Sequence, residues 1–167
     1  MSRTLTDEAE HEDVVRNSRF IARAAPCRDE AGAMAFIERV SDPAATHNCW
    51  AWKAGERYRF NDDGEPGGTA GRPILQAIEG RDMDFVVVVV TRHFGGIKLG
   101  TGGLARAYGG TAAEVLRTAP SEPIVRRIRL RARLPFEHIG AAHQAMEAHA
   151  VEKIDERYDA GGIELVM

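Results

Sequence analysis

The spacing of apolar and polar residues changes several times along the chain, and each change predicts a different element. Near-alternation over residues 18–27 predicts a strand, and apolar positions three or four apart over residues 28–42 predict a helix that Asp29 caps. Residues 46–60 predict two strands joined by a tight turn. The five valines of Val86–Val90 predict a central strand buried on both faces, because the run lacks a polar side.

Two further helices flank this central strand in the sequence. The stretch NDDGEPGGTAG predicts an irregular loop, and the next residues, 72–80, predict a short helix with proline in its first turn and glycine at its end. After the valines comes a glycine-rich stretch. Apolar residues at helical spacing then predict a longer helix that Gly102 and Gly103 open and that ends before Pro120.

The pattern changes again beyond residue 123. Residues 126–136 alternate between arginines and apolar side chains, so they predict a strand whose apolar face carries Ile128, Leu130, Ala132 and Leu134. A helix and two strands follow. The order β-α-β-β is the first half of a ferredoxin-like β-α-β-β-α-β unit. We therefore predict an α/β (α+β) protein with an N-terminal domain over 14–120 and a partial ferredoxin-like domain over 124–167.

Composition and charge narrow the class of protein. Hydrophobic residues make up 44% of the 167 residues, which suffices for a packed core, and no apolar run is long enough to span a bilayer. Two cysteines without paired spacing, and a start that lacks a signal-peptide pattern, predict a cytoplasmic protein. Residues 1–13 hold five acids and no apolar pattern, which predicts a disordered acidic tail. Because the net charge is −3, the chain as a whole does not attract nucleic acid, so any such binding must come from a local basic patch.

The glycine-rich stretch is the first candidate binding site. It does not fit a Walker A loop, because Lys98 lies inside the loop, and it starts too far from its strand for a dinucleotide fingerprint. Glycines before a helix flanked by basic residues still favour an anion site, since first-turn amides lack partners. Alternatively, the glycines bind no anion and only allow backbone angles that other residues rarely adopt. The predicted site comprises Arg92, Gly95, Gly96, Lys98, Gly100, Thr101, Gly102, Gly103 and Arg106.

The acidic loop is expected to form the opposite lip of a cleft. Its carboxylates could hold Mg²⁺, pair with basic residues across the cleft, or lie in a solvated turn. No resident metal, cofactor or catalytic residue is predicted, because the histidine and cysteine residues lack the spacing of a zinc site or a nucleophile–base pair. The predicted lip comprises His47, Asp62, Asp63, Glu65 and Thr69.

The C-terminal strand carries the densest positive charge in the sequence, at Arg127, Arg129, Arg131 and Arg133. Four arginines on one strand face could run along a nucleic-acid backbone, although the absence of stacking aromatics argues against base readout. The alternative is a solvated face whose arginines pair with acids downstream, namely Glu137, Glu147, Glu152, Asp155 and Glu156. We also expect a homodimer through residues 123–167, because a β-α-β-β unit with a single helix leaves apolar surface uncovered.

Four stretches carry a resemblance to a known family. SRFIA, ATHNCWAW, NDDGEPGGTAGRPIL and VVVVTRHFGGIKLGTGGLARAY occur in this order between residues 18 and 116. In these stretches the sequence closely resembles the YigZ/Impact family. The resemblance implies a ribosomal-protein S5 domain 2-like N-terminal domain followed by a ferredoxin-like domain. It also implies translation-related regulation, contact with RNA or the ribosome, and no established catalysis.

Residues and resemblance together favour a non-catalytic binding protein linked to translation. Its target would be RNA, the ribosome or a phosphate-bearing ligand held by the glycine-rich basic loop. The first alternative is an enzyme that acts on a phosphorylated small molecule with Mg²⁺ on the acidic loop. The second alternative is a protein-interaction module.

Overall fold

The computed structural model describes all residues, 1–167, and divides into two compact units, Met1–Ile124 and Val125–Met167. In the first unit, every neighbouring pair of strands in a five-stranded sheet is antiparallel. The sheet has the order β2-β3-β6-β4-β5, so the valine strand lies at its centre. Its strands are β2 (Ala9–Val15), β3 (Ser18–Pro26), β4 (His47–Ala54), β5 (Arg57–Asn61) and β6 (Val86–His93).

Helices cover both faces of this sheet, which explains why β6 is apolar throughout. Val87 and Val89 pack with α1 (Glu30–Val40) on one face, in a cluster that includes Phe36. Val86, Val88 and Val90 lie in the cluster on the opposite face, with residues of α2 (Gly71–Gly80) and α3 (Gly100–Thr118). Since successive side chains of a strand point to opposite faces, all five valines are buried. The predicted central strand is confirmed.

The structure contradicts the disordered tail predicted for residues 1–13. The strand β1 (Arg3–Leu5) pairs with β7 (Ser121–Pro123), and β2 pairs with β3 along its whole length. Three of the five acids that suggested a tail lie on the edge strand β2, and two of them pair with arginines of β3. Glu12 accepts a hydrogen bond from Arg19 Nε at 2.8 Å, and Glu10 from Arg23 Nε at 2.7 Å. Cross-strand pairs of opposite charge stabilise a strand that apolar periodicity does not reveal.

The predicted helices differ from the observed ones mainly at their starts. Asp29 caps α1 as predicted, because its Oδ1 accepts a hydrogen bond from Gly32 N–H at 2.8 Å. The helix α3 begins earlier than predicted, at Gly100, with Leu99 as its N-cap residue. Gly103 is therefore the fourth helical residue, and its N–H is the first that helical pairing to Leu99 satisfies.

The second unit has the predicted β-α-β-β order. Its strands are β8 (Arg131–Leu134), β9 (Asp155–Asp159) and β10 (Gly162–Val166), with the helix α4 (Ile139–Ala148) after β8. The sheet order β8-β10-β9 is antiparallel throughout, and a small core forms around Met146, Ile163 and Leu165. β10 thus lies between β8 and β9.

The first strand of this unit is shorter than predicted. It begins at Arg131, and only Leu130 among the preceding residues exchanges backbone hydrogen bonds, at 2.7 and 2.9 Å, with Met167. Ile128 and Leu130 are 76% and 52% exposed, whereas Leu134 packs against the small core, so the apolar face is covered only in part. The alternation is real in the sequence, but no layer of the unit covers this part of the chain. None of the helices in either unit has the length and apolar character that crossing a membrane requires.

Candidate functional site

A cavity of about 460 Å³ opens in the first unit, where β6 ends beside the start of β4 and the start of α3. The acidic loop forms another part of its wall. The walls are mixed, with apolar side chains beside four titratable ones. The lining residues are Thr46, His47, Glu65, Pro66, Arg92, Phe94, Lys98, Leu99, Gly100, Thr101 and Leu104.

Asp62 of the acidic loop holds the start of α2 rather than facing a ligand. Its Oδ1 accepts hydrogen bonds from the N–H groups of Ala70 and Gly71, at 3.1 and 2.8 Å. Its Oδ2 accepts one from Gly68 N–H at 2.9 Å. The N-cap residue of α2 supplies no side-chain cap itself. Asp62 therefore satisfies amides that the start of a helix leaves unpaired, and its negative charge suits the helix dipole.

Asp63 fixes the orientation and tautomer of His47. Its Oδ2 accepts a hydrogen bond from Asn48 N–H at 2.6 Å, which ties the loop to β4. Its backbone carbonyl oxygen lies 2.7 Å from His47 Nδ1. Because a carbonyl oxygen only accepts, Nδ1 carries the hydrogen. In a neutral imidazole, Nε2 of His47 is then left as an acceptor.

Glu65 is buried in the cavity wall and belongs to a polar cluster. Its Oε1 accepts hydrogen bonds from Arg92 Nη1 at 2.6 Å and from Tyr108 Oη at 2.7 Å. Its other oxygen, Oε2, accepts no hydrogen bond from the chain and lies 3.7 Å from His47 Nε2. Glu65 and Arg92 form an ion pair that water barely reaches, since their side chains are only 4% and 6% exposed.

Arg92 reaches this position from the end of the central strand. Its guanidinium carbon lies 5.5 Å from the ring centroid of Phe20 and 5.4 Å from that of Phe94, distances typical of cation–π contacts. Its Nη2 donates to Ser18 Oγ at 3.3 Å. Its Nε–H has no acceptor in the protein, which is rare for a buried donor.

Burial keeps Cys49 and Tyr108 neutral beneath the cavity. Burial raises the pKa of the Cys49 thiol to about 12, and Sγ donates a hydrogen bond to the Asp62 carbonyl oxygen at 3.0 Å. Burial also raises the pKa of Tyr108. The thiolate is the nucleophilic form of cysteine, so Cys49 has the character of a structural residue. The same holds for Cys27, whose pKa burial likewise raises to about 12.

The glycines of the predicted anion site have different structural tasks. A Cβ at Gly95 would lie 2.0 Å from the carbonyl oxygen of Asn17, so only glycine lets this loop pass the turn between β2 and β3. Gly96 and Gly100 have φ values of 88° and 70°, which glycine adopts without strain. Gly100 and Thr101 line the cavity, whereas Gly95 and Gly96 do not.

The predicted basic residues divide between two cavities. Lys98 lines the main cavity and forms no ion pair. Arg106 and Gly103 line a separate, smaller cavity of about 220 Å³, together with Arg16. A Cβ at Gly102 would lie 3.4 Å from Arg106 Nη1, so this guanidinium lies beside the first turn of α3. Of the predicted lip, only His47 and Glu65 line the cavity. Asp62, Asp63 and Thr69 do not, and the Thr69 hydroxyl donates to the Pro66 carbonyl oxygen at 2.6 Å.

The geometry leaves little for a metal ion at the acidic loop. No group of three or more histidine, cysteine, aspartate or glutamate side chains lies in an arrangement that could hold one. The carboxylates of Asp62 and Asp63 accept hydrogen bonds from backbone amides, and that of Glu65 pairs with Arg92. Binding of Mg²⁺ by Asp62 or Asp63 would compete with these amides, and Glu65 offers a single oxygen, Oε2, that accepts no hydrogen bond.

The four arginines of the second unit are exposed, and most of them have acidic neighbours. Arg127 Nη1 lies 3.0 Å from Glu152, and Arg131 Nε lies 3.7 Å from Glu164. Arg133 pairs with Asp159. Arg129 forms no ion pair. Of the acids considered as partners at the sequence level, only Glu152 pairs with one of these arginines, while Glu164 and Asp159 come from the paired sheet.

Sequence reasoning did not identify three residues that complete the site. The apolar spacing that predicts α3 places Tyr108 on the buried face of this helix, but its hydroxyl also donates a hydrogen bond to Glu65 Oε1. Phe94 and Ser18 were not considered, yet both contact Arg92. A buried arginine needs hydrogen-bond acceptors and benefits from aromatic rings beside its guanidinium group, but the sequence does not show which residues supply them. Only the hydroxyl of Tyr108 within a buried helical stripe offered a signal.

Comparison with known proteins identifies the family. Residues 16–116 match the Impact N-terminal domain. A protein of Thermus thermophilus named "IMPACT family member in pol 5'region" is 47% identical over 154 residues, which cover 92% of this chain and 85% of that protein. This chain belongs to the IMPACT family.

Two shorter matches and two solved structures extend this result. The IMPACT family members YvyE of Bacillus subtilis and YigZ of Escherichia coli are 46% and 44% identical, over 68% and 62% of this chain and 54% of each relative. A crystal structure titled as that of a hypothetical protein aligns with a TM-score of 0.72 at 31% identity, over 99% of this chain and 84% of that one. The likeness confirms the predicted two-domain fold of this IMPACT family member. The two-domain translational regulator Yih1 aligns with a TM-score of only 0.40, at 27% identity over 71% of this chain and 47% of that one, which is too low to support an argument.

Proposed function

We propose that this chain is a binding protein of translational regulation whose N-terminal unit holds a phosphate group in the cavity beside the start of α3. The phosphate belongs to RNA, to the ribosome or to a small phosphate-bearing ligand. Family membership supports the link to translation, because regulation of translation is what resemblance to the YigZ/Impact family implies.

The observation that carries the phosphate site is the uncapped start of α3. Leu99 supplies no side-chain cap, and the first turn holds no acidic residue. The N–H groups of Gly100, Thr101 and Gly102 have no helical partners there, and the helix dipole favours a negative charge. Lys98 adds a cation without an acidic partner. An anion at this position would receive amide hydrogen bonds and a charge contact together.

The enzyme alternative receives less support from the geometry. A Mg²⁺-dependent reaction on a phosphorylated substrate needs free carboxylates near the phosphate, and Asp62 and Asp63 bind backbone amides instead. The thiol of Cys49 is buried and protonated at neutral pH. Binding without chemistry is therefore the function that this cavity supports best.

The test measures binding of inorganic phosphate and of a short single-stranded RNA to the full chain, by calorimetry at two salt concentrations. We expect Lys98→Ala to lower the affinity for phosphate and for RNA about tenfold, since a hydrogen bond to a charged group contributes about 1.5–3 kcal/mol. The control is Arg81→Ala, which removes an exposed cation outside the cavity. If a metal chelator abolished phosphate binding by the unmodified chain, binding would depend on a metal ion, and the enzyme alternative would be favoured. Normal binding by Lys98→Ala would contradict the site.

The second unit offers a separate surface for RNA and for a second copy of the chain. We propose that Arg129, which lacks an acidic partner, is the arginine of this surface that contacts a nucleic-acid phosphate. The apolar side chains beside it, Val125, Ile128 and Leu130, are more than half exposed and are proposed to pack against a partner copy. Light scattering tests the dimer: Ile128→Glu should give a monomer if this surface joins two copies, and an unchanged mass would rule it out.

A further inference from the structure

When the His47 ring is neutral, its Nε2 and the Oε2 oxygen of Glu65 are two hydrogen-bond acceptors in the cavity wall without a donor between them. The distance from His47 Nε2 to Glu65 Oε2 is 3.7 Å, longer than a direct hydrogen bond. The Asp63 carbonyl oxygen takes the hydrogen of Nδ1, so Nε2 of the neutral ring presents a lone pair. Oε2 accepts nothing else, because Arg92 and Tyr108 both donate to Oε1.

Such a pair of acceptors fits a ligand group with two N–H hydrogens. An amino group can donate one hydrogen to His47 and the other to Glu65, whereas a carbonyl oxygen at the same point would face two lone pairs. A buried acceptor without a donor costs free energy, so the pair favours a ligand that supplies both hydrogens. The side chain of Glu65 is only 4% exposed, which makes this preference stronger than at an open surface.

The remaining walls of the cavity suit the other parts of a nucleotide. The uncapped start of α3 and Lys98 are positioned for a phosphate, as proposed above. Phe94 is 48% exposed and lines the cavity, so its ring offers a flat surface on which a base could stack. The volume of about 460 Å³ is within the range of pockets that hold small organic ligands.

The buried arginine adds a further polar group without a partner to the residues of this wall. Arg92 lines the cavity, its side chain is 94% buried, and its Nε–H has no acceptor in the protein. Unsatisfied buried donors are few in folded proteins. Together with the free oxygen of Glu65, this wall contains one unpartnered donor and two unpartnered acceptors.

From this arrangement we infer that the cavity binds a nucleotide whose base carries an exocyclic amino group. The amino group lies between His47 Nε2 and Glu65 Oε2, the base stacks on Phe94, and the phosphate binds at Lys98 and the start of α3. The inference rests on the proposed function and specifies the ligand of the same site. A free mononucleotide and a nucleotide within RNA present the same chemistry.

The decisive comparison uses pairs of nucleotides in which a carbonyl oxygen replaces the exocyclic amino group and the adjacent ring nitrogen gains a hydrogen. We expect adenosine monophosphate to bind the full chain at least about tenfold more tightly than inosine monophosphate, because a site built for a donor rejects an analogue without it. Cytidine and uridine monophosphates should show the same order. His47→Phe should abolish the preference for the amino-bearing nucleotide of each pair. Lys98→Ala should weaken all four nucleotides equally and leave the preference unchanged.

The outcomes separate this inference from the proposal on which it rests. Equal affinities for adenosine and inosine monophosphates, both reduced by Lys98→Ala, would overturn the amino-group contact and leave the phosphate site standing. Absence of binding by any nucleotide and by inorganic phosphate would overturn both. A short oligoadenylate that binds much more tightly than adenosine monophosphate, with a strong salt dependence, would identify RNA as the source of the nucleotide. Equal affinities would identify the free nucleotide.

Discussion

The helices α2 and α3 both begin with glycine on the same face of the sheet, yet their starts are satisfied in opposite ways. Asp62 reaches from the acidic loop and accepts hydrogen bonds from Gly68, Ala70 and Gly71 N–H at the start of α2. At the start of α3 no carboxylate or other side chain takes this place. A helix start that an internal anion already occupies contributes stability, whereas an unoccupied one beside a cavity can receive an anion from outside.

The change with the largest expected effect removes the internal anion of α2. Asp62→Ala should lower the free energy of unfolding by about 3 kcal/mol, because three backbone amides lose a charged acceptor. Asp62→Asn, which keeps one acceptor oxygen, should cost less. Denaturant unfolding followed by circular dichroism measures both. A loss within about 0.5 kcal/mol for Asp62→Ala would mean that water replaces the carboxylate without penalty.

A smaller effect is expected from the glycine that opens α2. A Cβ at Gly71 would lie 2.7 Å from the backbone nitrogen of Asn61, so Gly71→Ala should destabilise the protein by about 2 kcal/mol. The matched control is Gly80→Ala at the other end of the same helix, where a Cβ meets nothing within 4 Å. We expect this control to be neutral or slightly stabilising, given the helix propensity of alanine. Similar losses for both variants would contradict the close approach at Asn61.

The start of α3 should respond to an added internal anion with a small gain in stability and a loss of binding. Thr101 is exposed in its first turn, so Thr101→Glu should stabilise the protein by about 0.5 kcal/mol through the helix dipole. The same charge should repel phosphate and weaken its binding at least about tenfold. Thr101→Gln provides the uncharged control. Unchanged phosphate binding by Thr101→Glu would place the anion elsewhere.

The smallest effect is expected from the thiol beneath the capping loop of α2. The Cys49 pKa of about 12 means that the folded protein should show no thiolate absorbance from pH 7 to about 10. In the unfolded chain the thiols titrate at about 8.5, so unfolding releases protons above this pH and stability should decline. Cys49→Ala should reduce that decline. A thiolate signal from the folded protein near pH 8.5 would show that the loop opens in solution.

Local patterns predicted most elements but only part of the site. The valine run, the cap at Asp29 and the β-α-β-β order were readable because each depends on residues close in sequence. The acidic edge strand was missed, since its partners are arginines of the next strand. The role of Asp62 was also missed, because its carboxylate acts on amides six to nine residues away, across a loop of unpredictable path. The sequence places Arg106 close to Lys98, but Lys98 lies in the loop before α3 and lines the main cavity, whereas Arg106 lies on the helix and lines the smaller one.

The position of Arg92 on the central strand has a consequence for how the cavity opens. β6 has a hydrogen-bonded neighbour on each side, so its amide hydrogens should exchange with solvent only when the whole domain unfolds. The loops that carry Glu65 and Lys98 form no strand ladder, and their amides should exchange through local openings of much lower free energy. Arg92 therefore stays in place while the surrounding walls fluctuate. A ligand would meet a fixed cation on a rigid strand and would slow exchange mainly in the two loops that close around it.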